Sequence, residues 1–276
     1  KPLPLRQGRR PGRILPAPNP RTEATGERLK MTEDEKLPFT GHLEELRRRL
    51  IICFVSVGVG FAGAYLFKER LFEILMNPLV KVMKPGQNLV FTGLPEAFFT
   101  YLKVSLLAGI LIASPVIIYQ FWLFVAPGLY EREKRLLIPI VLLSTIFFVG
   151  GALFGYFIVF PYGFKFFLGF ATEIIRPLPS MKEYMSFSSK LLIAFGLVFE
   201  LPLVITFLAK LGIVSVDFLK KNRKYALLCF FVGAAILTPP DVVTQVMMAL
   251  PLMVLYEISI VGARVFGKKP LDDPEE

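Results

Sequence analysis

Residues 114–135, SPVIIYQFWLFVAPGLYEREKR, join the end of a long apolar run to a breaker, Ala126-Pro127-Gly128, and then to a dense mixed-charge cap. An apolar helix of this length does not stay in water, and so dense a charge cluster does not stay in lipid. The segment therefore marks a membrane boundary about which the rest of the chain has to be arranged. Composition agrees. Of 276 residues, 54% are hydrophobic, 27 are Phe and only 20% are charged. That is the profile of an all-α polytopic membrane protein, not of a soluble domain.

Enzyme chemistry has little to stand on. The two cysteines, Cys53 and Cys229, lie inside apolar runs, and the only histidine is His42, so no disulfide framework or His-based metal site is expected. No Gly-rich phosphate loop, GxSxG or HExxH occurs. The expectation is a non-enzyme with neither cofactor nor metal. The net charge of +10 would suit nucleic acid, but +6 of it sits in residues 1–30 and the rest flanks apolar runs, where it orients a membrane protein.

Residues 1–37 are expected to be a disordered, basic, Pro/Arg-rich tail. Met31 is a plausible start of the working protein, and an Arg-rich organelle transit peptide is the rival reading of residues 1–30. Residues 41–50 (GHLEELRRRL) suit a short amphipathic helix, with Leu43, Leu46 and Leu50 on one face and Glu45 three and four residues before Arg48 and Arg49. Six spans are then expected within a membrane domain over 38–266: about 51–67, 98–125, 136–160, 191–209, 225–238 and 242–262. A tail follows at 267–276. Between the first two spans an amphipathic piece carries Pro78, a residue that bends or ends a helix. Pro115 should bend the long second span. Trp122 and Tyr130 suggest an interfacial belt, and Pro161 should end span 3. The last two spans are short, which suits a locally thinned bilayer or a re-entrant hairpin. Lys and Arg divide 23 to eight between the two sides, or 15 to eight without residues 1–30. By the positive-inside rule both termini are cytoplasmic, or stromal.

Glu200, midway between Lys190 and Lys210, stands out. A carboxylate at the bilayer centre costs about 2.5–3.5 kcal/mol on insertion scales and is a functional candidate by default. Its plainer role would be a hydrogen bond to a neighbouring helix, and the backbone carbonyl freed by Pro202 is a candidate partner. Glu45, Arg47, Arg48 and Arg49 precede span 1, and Glu131 and Glu133 follow span 2. These are ordinary boundary charges, or acids placed to hold a basic ligand. Asp241 lies in TPPDVVTQ, where it suits a turn. With Thr238 and Gln245 it also suits a polar cluster for an incoming helix. Phe124 alone would be core or lipid-facing.

HLEELRRRL at 42–50, SPVIIYQFW and APGLYEREKR within 114–135, FGLVFELP at 195–202 and LTPPDVVTQ at 237–245 together resemble the TatC family, the multi-spanning subunit of the twin-arginine protein translocase. The resemblance covers about 38–266 and implies six helices in a concave arrangement. It implies a receptor for the paired arginines of a cargo signal peptide, with Glu45, Arg47, Phe124 and Glu133 as the signal site. Carboxylates hold guanidinium groups bidentately. Glu200 matches the family's intramembrane acid, Asp241 its far-side acid and Pro78 a proline of its first far-side loop. Thr238 and Gln245 fall where single-span TatA/TatB-type partners dock in a multi-subunit, self-associating complex driven by the proton-motive force. The implied location is the bacterial cytoplasmic (inner) membrane, with the thylakoid as alternative. The rival function is a proton-coupled secondary transporter of a small solute with Glu200 as its site, although no paired broken helices are visible. A scaffold for other membrane subunits is the third reading.

Overall fold

The computed structural model describes residues 20–84, 89–90, 93–125, 137–172, 177–237 and 242–267, with side chains from residue 41 onward except His42 and Val243. The described residues are helical throughout their regular structure, and one isolated bridge pairs Val90 with Ser180. The chain divides into two units, Lys1–Arg48 and Arg49–Glu276.

Helix α1 covers Pro20–Tyr65. Residues 20–37, expected as part of a disordered tail, lie within this helix. The stretch RTEATGERLKMTEDEK is dominated by Glu, Lys, Arg, Thr and Ala, and several of these lose little freedom on entering a helix. Polarity removes a core, not helix propensity. The division at Arg48/Arg49 also differs from the expected boundary at residue 38.

In the second unit, α2 (Lys68–Val80) is followed by α3 (Glu96–Val125), which runs unbroken through Pro115. Proline cannot donate to the carbonyl four residues back. The Ser114 hydroxyl takes that carbonyl, donating to Leu111 O at 2.8 Å. Pro78 lies two residues from the end of α2, and its orphaned carbonyl, Ile74 O, accepts the Tyr156 hydroxyl at 2.5 Å.

Span 3 does not end at Pro161. Helix α4 (Leu137–Phe154) passes through a π-helical turn, Gly155–Val159, into α5 (Phe160–Leu168). Pro161 sits in the first turn of α5, where a missing N–H is tolerated, and the wide turn before it absorbs the register change. Span 4 is a pair, α6 (Met181–Phe199) and α7 (Leu201–Lys210), that breaks at Glu200 just before Pro202. Gly212, at φ 77°, ends α7 in a Schellman-type cap in which Ile213 N–H donates to Leu208 O.

Ser215 caps the short α8 (Val216–Lys221), accepting Phe218 N–H at 3.1 Å. Then come α9 (Arg223–Leu237) and α10 (Val242–Phe266). Among the described residues, five segments are long and apolar enough to cross a membrane: Leu43–Tyr65, Glu96–Val125, Leu137–Leu168, Met181–Lys210 and Thr244–Phe266. At 15 residues α9 is short, as expected, whereas α10 has 25 residues and corrects the expectation that both final spans are short. Glu257, the one acid within this last span, is paired with Arg223 of α9 at 2.7 Å.

The main core joins α2, α3, α4, α5 and α6 through Leu75, Leu107, Ala152, Phe160, Met185 and Phe195, and reaches α9 and α10 at Ala234, Met248 and Leu252. A second cluster joins α7, α8 and α10, and a third joins α3, α4 and α7 through Ile118, Trp122, Phe148 and Phe207. Span 1 meets span 2 at glycine. A Cβ on Gly60 would lie 2.7 Å from Gly109 O, and one on Gly109 2.6 Å from Phe61 N. Only glycine lets backbones approach this closely.

Candidate functional site

The end of α3 and the start of α4 lie at one end of the second unit, the proximal end; α2 and the starts of α3 and α6 lie at the other, the distal end. On the proximal side Phe124 is half-buried in the last turn of α3. One turn earlier, Gln120 accepts a hydrogen bond from Arg49 Nη1 at 3.3 Å, fastening α1 to α3. Glu45 is half-buried and Arg47 exposed, both on α1 in the first unit. Glu133, Thr238 and Asp241 lie outside the described residues. Gln245 is half-buried near the start of α10, beside the buried Thr244.

Glu200 closes α6 and opens α7, and its backbone carbonyl accepts the N–H groups of Leu203 and Val204 at 3.0 and 2.9 Å. The ten residues of α7 span roughly 15 Å, half of a roughly 30 Å hydrocarbon layer. If Lys210 marks one edge, Glu200 lies near the middle, and the extra length of α6 lies on the distal side. The carbonyl freed by Pro202 does not serve the carboxyl. Instead Oε1 is buried with no hydrogen-bond partner, and the polar side chain facing the carboxyl is Ser144 of α4. Ser144 in turn accepts the Trp122 indole N–H at 2.9 Å. Trp122 is only 3% exposed, which corrects its expected place in an interfacial belt. An indole with an internal partner for its N–H has no need of the headgroup region.

The distal side holds a residue that sequence reasoning missed. Glu96, in the first turn of α3 and 8% exposed, accepts hydrogen bonds from Ser180 Oγ (2.9 Å), Lys182 N–H (2.8 Å) and Gly93 N–H (3.3 Å). Beside it Val90 N–H donates to Pro179 O and Met181 N–H to Val90 O. Glu96 thus ties the connection after α2 to the start of α6, where a carboxylate also meets the positive end of the helix dipole. Its one sequence signal is a lone acid between a Gly-Leu-Pro turn and an apolar run. The α2 helix is held in the same way: besides the Tyr156 bond at Pro78, the Tyr184 hydroxyl donates to Leu75 O.

A family model for the Sec-independent protein translocase protein (TatC) matches residues 41–251. The TatC protein of Desulforapulum autotrophicum is 67% identical over 244 residues, covering 88% of this chain and 90% of that one. The TatC protein of Escherichia coli K12 is 36% identical over 239 residues, covering 87% and 93%. A crystal structure of a twin-arginine translocase receptor, TatC, superposes with a TM-score of 0.74 at 45% identity, covering 82% of this chain and 99% of that one. The membrane-spanning helices, the half-buried acid at the α6–α7 break and these likenesses lead to one conclusion: the chain belongs to the TatC family of Sec-independent protein translocase proteins.

Proposed function

We propose that this chain is the receptor subunit of a twin-arginine translocase, binding the paired arginines of signal peptides on folded cargo. The observation that carries the reading is the 45% identity, over 99% of its length, to a solved protein described as a twin-arginine translocase receptor. In this reading Glu45 and Arg47 on α1, Phe124 at the end of α3 and Glu133 just beyond it form the signal site. The proximal side faces the cytoplasm, and both termini lie there. A guanidinium pair docks on the acids, and the apolar part of the signal then enters the membrane toward Glu200. The short α9 counts as a sixth crossing through a thinned bilayer, in a concave bundle. Thr238 and Gln245, with Asp241 across the membrane, receive single-span TatA/TatB-type subunits in a self-associating complex in the bacterial inner membrane. Transport is driven by the proton-motive force and needs no cofactor.

The test is site-specific photo-crosslinking from positions 45, 124 and 133 to a twin-arginine signal peptide in native membranes, with Glu133→Lys as the charge-reversed control. Crosslinks that require the arginine pair and vanish in Glu133→Lys are expected. Crosslinking that ignores the arginines would refute the site, and solute flux that depends on Glu200 but not on Glu133 would favour a transporter.

A further inference from the structure

The α3, α4 and α7 helices converge on Trp122. Trp122 is fixed from two directions. Its ring stands edge-on to Phe207 of α7, with centroids 4.8 Å apart and planes at 82°, and also meets Phe121 at 5.8 Å. Its N–H points at Ser144 Oγ, 2.9 Å away. Ser144 has no exposed surface, so no solvent competes for its hydroxyl. An indole N–H only donates, and a serine hydroxyl offers one proton and two lone pairs. With one lone pair occupied by Trp122, the Ser144 proton is the group left to direct, and the polar side chain it faces is the Glu200 carboxyl. That carboxyl sits at the α6–α7 break, with Oε1 buried and unpartnered. A carboxyl whose buried oxygen has no hydrogen-bond partner has few restraints on its rotamer.

We propose that Ser144 and Trp122 are positioning residues for Glu200: the indole N–H orients the Ser144 hydroxyl so that it donates to the carboxyl and holds it in one orientation inside the bundle. Trp122 stands two residues before Phe124, so the line joins the proximal end of α3 to the acid within the membrane. The importance of Glu200 to transport rests on the receptor reading above; the hydrogen-bonded line does not.

Trp122 is the only tryptophan in the chain, so every tryptophan signal of the purified protein belongs to this site. The experiment is ultraviolet resonance Raman of the indole N–H mode, with emission spectra, on detergent-purified full-length protein and its Ser144→Ala, Ser144→Cys and Glu200→Gln variants. Both Ser144 variants should move the indole mode toward its free position. Glu200→Gln, two hydrogen bonds removed from the indole along this line, should move it partway, because a weaker acceptor for the serine proton leaves its oxygen a weaker acceptor for the indole. An indole mode unchanged in Glu200→Gln overturns the assignment. In membranes, Ser144→Ala and Trp122→Phe, which keeps an aromatic ring against Phe207, should each lower export of twin-arginine cargo roughly fivefold, as expected for one lost hydrogen bond, at normal protein level and normal signal-peptide crosslinking. Ser144→Thr, which retains the hydroxyl, should recover more export than Ser144→Val, of the same shape. In a Glu200→Gln background, Trp122→Phe should add no further loss, and additive losses would overturn the proposal. The spectroscopic arm succeeds or fails whatever the cargo is, so its failure is distinct from that of the receptor reading, which the crosslinking tests.

Discussion

Replacing Glu96 by alanine removes the acceptor that three donors share at the distal end of the bundle. Two of the bonds, from Ser180 Oγ and Lys182 N–H, are short at 2.9 and 2.8 Å, and the third, from Gly93 N–H, is long at 3.3 Å. Hydrogen bonds to a charged group contribute about 1.5–3 kcal/mol each. The full loss is not expected, because Ser180 is half-buried and Lys182 exposed, and their donors regain water. The net for Glu96→Ala is then about 2–4 kcal/mol, roughly 30- to 700-fold in the folding equilibrium. Glu96→Gln keeps an oxygen for Ser180 and Lys182 but turns an amide N–H₂ toward Gly93 N–H, so it should lose about 1–2 kcal/mol. The assay is reversible unfolding in mixed micelles with increasing sodium dodecyl sulfate, followed by Trp122 emission, alongside hydrogen exchange at the Lys182 amide. The order wild type, Glu96→Gln, Glu96→Ala, with faster exchange at Lys182 in both variants, is expected. A Glu96→Ala protein within about 0.5 kcal/mol of wild type, the range of an ordinary surface substitution, with Lys182 exchange unchanged, would show that the carboxylate does not hold the two connections together.

Gly109→Val places side-chain carbon against the Phe61 backbone at the crossing of spans 1 and 2, where neither helix can give. A loss of about 1–3 kcal/mol is expected, with α1 more open to protease than in wild type, and limited proteolysis with the same unfolding assay reads both. Tyr156→Phe should lose about 1 kcal/mol by abandoning the Ile74 carbonyl. In a Pro78→Ala background the loss should shrink toward zero, because the substituted residue regains a backbone N–H that takes that carbonyl, and a double-mutant cycle in the unfolding assay measures the difference. Arg223→Glu should destabilise the α9–α10 hairpin by up to about 1 kcal/mol, since both partners are about half exposed. Combining it with Glu257→Arg should restore stability, which thermal unfolding in low-salt detergent would detect.

Much of the fold is legible in the sequence because lipid leaves few alternatives. Unbroken apolar length locates the second span within two residues, and the shortness of α9 follows from the same count. The misses share a cause. In the sequence Pro161 reads as the end of a span and Glu257 as a lone acid in the last one. Each is accommodated by a neighbour that no local pattern reveals: a π-helical turn, and an arginine 34 residues away. Glu200 could be picked out because a lone acid in an apolar run is costly wherever it points. Ser144 could not, because a serine among leucines carries no such cost and becomes notable only once Trp122 and Glu200 are seen to meet it. Glu96 was hidden for the opposite reason. At the edge of a span an acid is commonplace, and only its burial beneath the second connection marks it.

Pro78 has a consequence for how the protein comes apart. A proline in a helix is commonly taken as a weak point, where a short segment peels away first. Here the carbonyl it strands is the socket for the Tyr156 hydroxyl, and the next carbonyl in the chain, Leu75 O, takes the Tyr184 hydroxyl. To lift α2 away, both sockets must empty at once, along with the buried contacts of Phe72, Leu75 and Leu79. The breaker thus makes the segment between spans 1 and 2 part of the same cooperative unit as spans 3 and 4. Fraying should begin elsewhere, in a segment that buries less of itself, such as α9, where Ala234 is the buried residue.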